Sequence, residues 1–583
     1  MDNSYAQTIE TTDTEELRSR TKQEIQERQR QQQAPSVNLQ GRELPGSENL
    51  LILPAETPCF KVNHFILEVP SRLSPAAHRL AASTLPQDRF RFAQDHLEQY
   101  AGQCIGQEGV NLIVKGLTAK ILGKGYTTTR LGIPEQDLSS GTLKLTLTPG
   151  IIHAIRLAGS EAPRTLGNAF PVPGGNSPIT GSEAPRTLGN AFPASSGDIL
   201  NLRDLEQGLE QMKRVPSQDV DLQIVPSDNL GESDVLVTVK RGKPWKIAAS
   251  LDDSGTKSTG KVQAGLTFSV DNLFGLSDLL NVGLNADGDR NRGAYGTRGN
   301  NAYYSVPSGY WTATLSANDS NYYQRIAGSN QTFISSGKSN FFEGKVSYLF
   351  YRDQFKKSSL QFRTGKRFSR AYIDDTEVMV QRRNTTLAEI ALLHKHTLGQ
   401  AQLDVTGAYR WAAPWFGAQD DAANLPDTSP KFRYSLETID VTLTLPFKVT
   451  DKSLTYTGTF RAQNSDTPLY GSEWFSIGNR WSVRGFDGEM TLAAEKGYFL
   501  RNDLGILIAN TAQVAYFGID FGKVFGPNVQ NLIGNKLAGA AVGMRGSLFK
   551  GMTYDIFAGW SLYKPQGFRT SEPAAGFNLL YQM

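Results

Sequence analysis

An α+β region followed by a transmembrane antiparallel β-barrel is the fold class that this 583-residue chain predicts. Three observations carry it. The chain is far longer than the roughly 250–300 residues at which a single hydrophobic core stops growing, so it must divide into domains. Hydrophobic residues make up only 39% of it, and no run approaches the roughly 18 consecutive apolar residues of a membrane helix. From residue 244 onward, short stretches alternate apolar and polar side chains between clusters of Gly, Asn, Asp and Ser. That is the pattern of barrel strands with one face to lipid and one to a wet lumen.

The elements follow in order. Residues 1–33 carry a helix over 8–33 that is polar on every face, with Thr12 and Glu15 in a capping-box pattern and then Glu16, Arg18, Arg20, Lys22, Glu24, Glu27, Arg28 and Arg30. No face can be buried in an apolar core; the helix is either free in solvent or in a wet polar cavity, and the pattern alone favours the first. A polar linker with Pro35, Gly41, Pro45 and Gly46 spans 34–56. Residues 57–150 read as one α/β unit: a strand at Val62–Leu67, helices at Phe90–Tyr100 and Val110–Gly123, and strands at Thr127–Ile133 and Leu143–Leu147. The pattern repeats over 151–243, with strands near Ile152–Leu157, Val220–Val225 and Val235–Lys240 and a helix over Leu200–Arg214. Within this second unit Gly159–Pro171 recurs without mismatch as Gly181–Pro193. The spare segment, with Pro173, Gly174, Gly175 and Pro178, reads as a tandem duplication looped out on the surface, where insertions cost little loop entropy. The remaining residues, 244–583, supply strands such as Trp245, Ile247, Ala249, Leu251 and Met552, Tyr554, Ile556, Ala558, Trp560; at about 9–11 residues each plus turns, about 16 fit.

Charge and motifs exclude several functions. A net charge of +3 from 60 basic and 57 acidic residues gives no concentrated basic patch, so nucleic acid is not an expected partner. Cys59 and Cys104 could pair in an oxidising compartment, or remain two free thiols. The start, Met1-Asp2-Asn3-Ser4, carries no basic and apolar leader, so a secreted form is expected to have lost its signal peptide. Gly255–Lys261 looks like a phosphate loop, but Val262 stands where a magnesium-holding Ser or Thr belongs, and strands flank it. HExxH and GxSxG are absent, and His394 with His396 lacks a third ligand. Neither an enzyme nor a cofactor or metal site is expected.

One motif stands out. Val483-Arg484-Gly485-Phe486 falls in a long loop between the strands around Leu454–Phe460 and Tyr498–Ile508. Downstream, Gly518-Ile519-Asp520-Phe521-Gly522 lies on a strand whose Phe517, Ile519 and Phe521 face one way and whose Gly518, Asp520 and Gly522 face the other. With the aromatic face in lipid, Asp520 points into the lumen between two glycines, where a folded-in loop can bring Arg484 to it as a charge-assisted pair.

At these residues the chain closely resembles the two-partner secretion transporters, a branch of the outer-membrane barrels preceded by POTRA domains. The resemblance extends to the Cys59 and Cys104 pair, Gly125–Arg130, Gln136–Gly141 and Leu200–Gln207. It implies an N-terminal plug helix, a linker, two POTRA domains and a sixteen-stranded barrel whose sixth extracellular loop, around 470–495, tucks into the lumen. It also implies ATP-free export of a large secreted β-helical exoprotein encoded nearby, such as an adhesin, a haemolysin or a contact-dependent inhibition toxin. Outer-membrane lipid and the barrel-assembly machinery are the other implied partners. Two departures stand against the family pattern: the duplication inside the second POTRA unit, and an end at Met583 where such barrels close on an aromatic residue. The rival readings are a barrel-assembly insertase of the same superfamily and a plugged porin or receptor.

Overall fold

The computed structural model describes residues 2–40, 52–70, 89–158, 184–229, 231–289, 295–327, 331–509 and 511–583. The first copy of the duplicated segment and the middle of the linker lie outside them.

Sixteen long strands, from Trp245–Asp252 to Ala574–Gln582, close into one antiparallel barrel, with the two-residue strand Thr376–Glu377 as an extension of one hairpin. Closure is direct, since Leu579 and Tyr581 pair with Leu251 and Ala249. The period-two alternation explains the wall: Leu266, Phe268, Leu284, Ile439, Phe517 and Ile519 are exposed on its outer side, as lipid requires, while their neighbours line the lumen. Short turns such as 309–310 and 450–451 lie at the end where the α/β units attach, and the long connections 413–434 and 465–495 at the other.

The first α/β unit sets Thr142–Thr148 between the parallel strand His64–Glu68 and the antiparallel strand Arg130–Gly132. Leu143, Leu145 and Leu147 point inward onto Leu97, Ile113 and Leu117 of the helices Arg91–Glu98 and Gln107–Gly123. Cys59 and Cys104 are disulfide-bonded beside a small pair of strands, Phe60–Val62 and Gln103–Ile105. In the second unit Glu232–Arg241 lies between the parallel strand Ile151–Leu157 and the antiparallel strand Gln218–Pro226. The helix Leu202–Lys213 packs beneath, N-capped by Asn201. The second copy of the duplicated segment forms the helix Ala184–Ala191, whose Leu188 and Ala191 enter this core with Phe192. It is therefore an integral element of the second unit.

The N-terminal helix corrects two expectations. It runs Asp2–Gln33, so Thr12 and Glu15 lie inside it and do not cap it. At ~1.5 Å per residue its 32 residues span about 48 Å, enough to cross a membrane-thick pore. It is not free in solvent: it occupies the lumen, hydrogen-bonded to Thr259 near the long-loop end and to Thr442 midway along the strand Ser435–Val449. A helix with no apolar face is stable there because the lumen wall is polar as well.

Candidate functional site: a loop clamp and an ion-paired helix in the lumen

The loop between the strands Lys452–Asn464 and Lys496–Leu507 turns inward instead of out. A short hairpin, Phe475–Ile477 with Leu492–Ala494, stiffens it, and its apolar side chains join Val483, Phe486, Phe499, Val524, Leu537 and Phe568 in one buried cluster. At its tip, Arg484 and Asp520 are 2% and 1% exposed. The guanidinium forks onto the carboxylate, Nε to Oδ2 at 2.7 Å and Nη2 to Oδ1 at 2.8 Å, and the Arg484 backbone N–H adds a third bond to Oδ2 at 2.9 Å. Nη1 donates to Asp503 Oδ1 at 2.5 Å. Two carboxylates therefore hold one cation, the bidentate geometry that favours arginine over lysine.

Glycines make the wall flat enough for this approach. A Cβ on Gly518 would come within 2.2 Å of Arg484 Nη2, and one on Gly522 within 2.8 Å of Val483. On the next strands, a Cβ on Gly539 would lie 1.8 Å from the Arg484 carbonyl oxygen, and one on Gly559 2.7 Å from the Gly485 nitrogen. Gly485 has φ +94° and its own Cβ position would strike the Trp560 carbonyl at 2.3 Å, so a side chain is refused there twice over. Phe486 packs edge-on against Phe568, and Asp487 accepts from Ser571 N at 2.9 Å, tying the tip to the last external loop. The geometry thus brings together Val483, Arg484, Gly485, Phe486, Gly518, Asp520 and Gly522. Sequence reasoning missed Asp503, Gly539 and Gly559.

The helix is held differently. Among its described residues only Leu17 is a buried apolar side chain. Its contacts are ionic: Arg20 with Glu473 at 2.9 Å, Glu24 with Arg410 at 3.2 Å and with Arg461, Glu27 with Lys345, and Arg28 with Asp440 at 2.9 Å. Glu473 belongs to the inward loop and also meets Arg367 at 3.2 Å and Arg410 at 3.4 Å. It joins loop, wall and helix in a single network. Glu15 accepts from Thr259 at 3.0 Å, so the phosphate-like loop at 255–261 is a helix contact. His394 donates to or accepts from Ser358 at 2.9 Å and lies beside His396, their rings 5.8 Å apart. Among the described residues no group of three or more His, Cys, Asp or Glu could hold a metal.

Comparison with known proteins extends this picture over the whole chain. Residues 231–546 match the family described as haemolysin secretion/activation protein ShlB/FhaC/HecB, 151–226 match the POTRA domain, and 84–150 the ShlB-type POTRA domain. The outer membrane transporter CdiB-2 of Burkholderia pseudomallei is 42% identical over 96% of this chain and 92% of its own length. The hemolysin transporter protein ShlB of Serratia marcescens is 28% identical over 84% and 80%. The solved structure of CdiB from Escherichia coli superposes with a TM-score of 0.78 at 26% identity, covering 98% of this chain and 99% of that one.

Proposed function

This chain belongs to the haemolysin secretion/activation protein family, and from that premise we propose how it moves its cargo and what that cargo is. It is an outer-membrane translocator of two-partner secretion, with periplasmic POTRA domains. The cargo is a large secreted β-helical exoprotein encoded nearby, of the contact-dependent growth inhibition kind. It crosses as an unfolded chain once the helix leaves the lumen, and its folding outside supplies the pull, with no ATP and no catalysed reaction. The barrel-assembly machinery inserts the barrel.

One observation supports the reading above the rest: the two occupants of the lumen are held by opposite physics. The loop tip is fixed by apolar burial and a desolvated bidentate pair, the helix by ion pairs along a polar face. The helix presents no apolar face to the wall, and its paired side chains, 5–14% exposed while it is seated, regain water as it withdraws, so the helix can be removed while the loop stays seated. Arg484 and Asp520 hold the loop in its conducting position.

The test is to express the chain with a signal peptide beside its neighbouring exoprotein and assay the culture supernatant, with and without Arg484→Ala. Removing Arg484 strands the Asp520 and Asp503 carboxylates, at roughly 3–5 kcal/mol in a dry site and less with water present. Secretion should require the chain and fall at least about tenfold in the variant, the effect of about 1.4 kcal/mol. Undiminished secretion without the chain would leave an insertase or a plugged porin as the reading.

A further inference from the structure

The stretch that follows the lumen helix is seated at the periplasmic mouth through its backbone. Val37 N–H donates to Glu210 Oε1 at 2.6 Å and Leu39 N–H to Glu206 Oε1 at 2.9 Å, while the Val37 carbonyl accepts from Arg352 Nη2 at 2.9 Å. Glu206 and Glu210 are one turn apart on the POTRA helix Leu202–Lys213, and Arg352 ends the barrel strand Thr332–Arg352. Arg352 is itself pinned by both carboxylates, at 3.3 and 2.8 Å, with its side chain 2% exposed. The Val37 side chain packs against the second POTRA core.

We propose that this seat is a cargo-entry site that takes an extended, unfolded stretch of the exported polypeptide by its backbone, with residues 37–40 as the resting occupant that cargo displaces. The proposal rests on the transport reading and adds the place where cargo enters.

Spacing carries the argument. Four residues along a helix rise about 6 Å, close to the roughly 6.8 Å between alternate N–H groups of an extended chain. Two carboxylates at that interval, with a fixed guanidinium between them, read backbone groups and ignore most side chains. The single side-chain demand is an aliphatic group where Val37 now sits. The seat also opens onto the pore: Glu210 and Lys357 line a lumen cavity of about 510 Å³ together with Gln31, Gln32 and Pro35. Cargo taking the seat lifts the linker four residues beyond the end of the helix and so loosens the helix at its periplasmic end. Glu210 keeps Arg352 and Lys357 as partners when the linker leaves, so the seat retains its shape.

The test places a photo-crosslinking residue at Gln354, whose carbonyl faces Asn38 at 3.5 Å, in the full chain co-expressed with its exoprotein. Illumination during secretion should join Gln354 to the exoprotein. Glu210→Gln should reduce that product about tenfold relative to the exoprotein reaching the supernatant, the loss expected for one charge-assisted backbone contact. Val37→Pro with Leu39→Pro, which removes both linker N–H donors and leaves the seat untouched, should increase it. Secretion accompanied only by crosslinks to the chain's own linker, or a product indifferent to both changes, overturns the entry site and leaves the seat a tether. No chain-dependent secretion at all would instead overturn the transport reading beneath it.

Discussion

At the scale of single residues, the clamp depends on absent side chains as much as on charges. Gly539 lies under the Arg484 carbonyl, and the atom a Cβ would strike is backbone, which cannot swing aside. Gly539→Ala is therefore expected to unseat the loop tip by about 1–3 kcal/mol, the ordinary range for overpacking. Gly407→Ala is the matched control, because a Cβ there meets nothing within 4 Å. Protease cleavage within 480–490 should rise in the first variant and stay at the unmodified level in the second; equal cleavage in both would remove the glycine wall from the account. Most of this site was readable in the chain. Arg484, Asp520, Gly518 and Gly522 sit in two short motifs whose strand period alone decides which way each side chain points. Asp503, Gly539 and Gly559 were not readable, because their part depends on which strands neighbour Gln513–Phe525, which strand lies beyond them, and in what register. Asp503 lies across from Gly518 and Gly539 across from Asp520, pairings that no local pattern encodes.

At the scale of elements, the lumen helix shows why polarity alone misled. Its patterning is that of a free helix, and only a partner surface equally polar, contributed by residues hundreds of positions away, makes the lumen its place. Arg410 and Arg461 supply that surface opposite Glu24. The holding force should then be electrostatic and respond to salt. In planar bilayers the purified chain is expected to show rare large openings at low ionic strength and more frequent ones near 1 M, where the Debye length falls to about 3 Å. Glu24→Gln, which leaves the 5% and 10% exposed side chains of Arg410 and Arg461 without the helix carboxylate, should raise the opening frequency at least about tenfold at 0.15 M and flatten the salt dependence, as expected for leaving buried charge uncompensated. Openings that ignore both salt and Glu24 would mean that the helix is retained by its linker and not by the lumen. Apart from the helix Ala184–Ala191 and the strand Gln103–Ile105, the α/β units were legible to within a few residues, since burial of Leu143, Leu145 and Leu147 writes itself as alternation. The disulfide became legible only through the family, because spacing alone leaves two thiols undecided.

At the scale of the whole molecule, the second POTRA domain and the barrel work as one piece, and the duplicated segment sits at their junction. Asn190 donates to the Leu276 and Pro307 carbonyls at 2.7 and 2.6 Å, and Thr187 to the Gly275 carbonyl at 2.7 Å. Gln207 and Gln211 both reach the Gly309 carbonyl from the neighbouring helix. The sequence announced the repeat but not that its second copy would supply a helix of this unit, since identical residues carry identical propensities. That identity makes a clean deletion possible. Removing residues 159–180 joins Ala158 to Gly181 and restores, residue for residue, the sequence that now follows Ala158 through Pro171. The helix Ala184–Ala191 should keep its contacts to the barrel, and the shorter connection should reduce the entropic cost of closure by about 0.6 kcal/mol for each halving of its length. The shortened chain should secrete its exoprotein at the parental level and melt at the same temperature or slightly higher. Parental stability with lost secretion would give the first copy a role of its own in transport. Lost stability would mean that residues 159–180 are part of the POTRA fold.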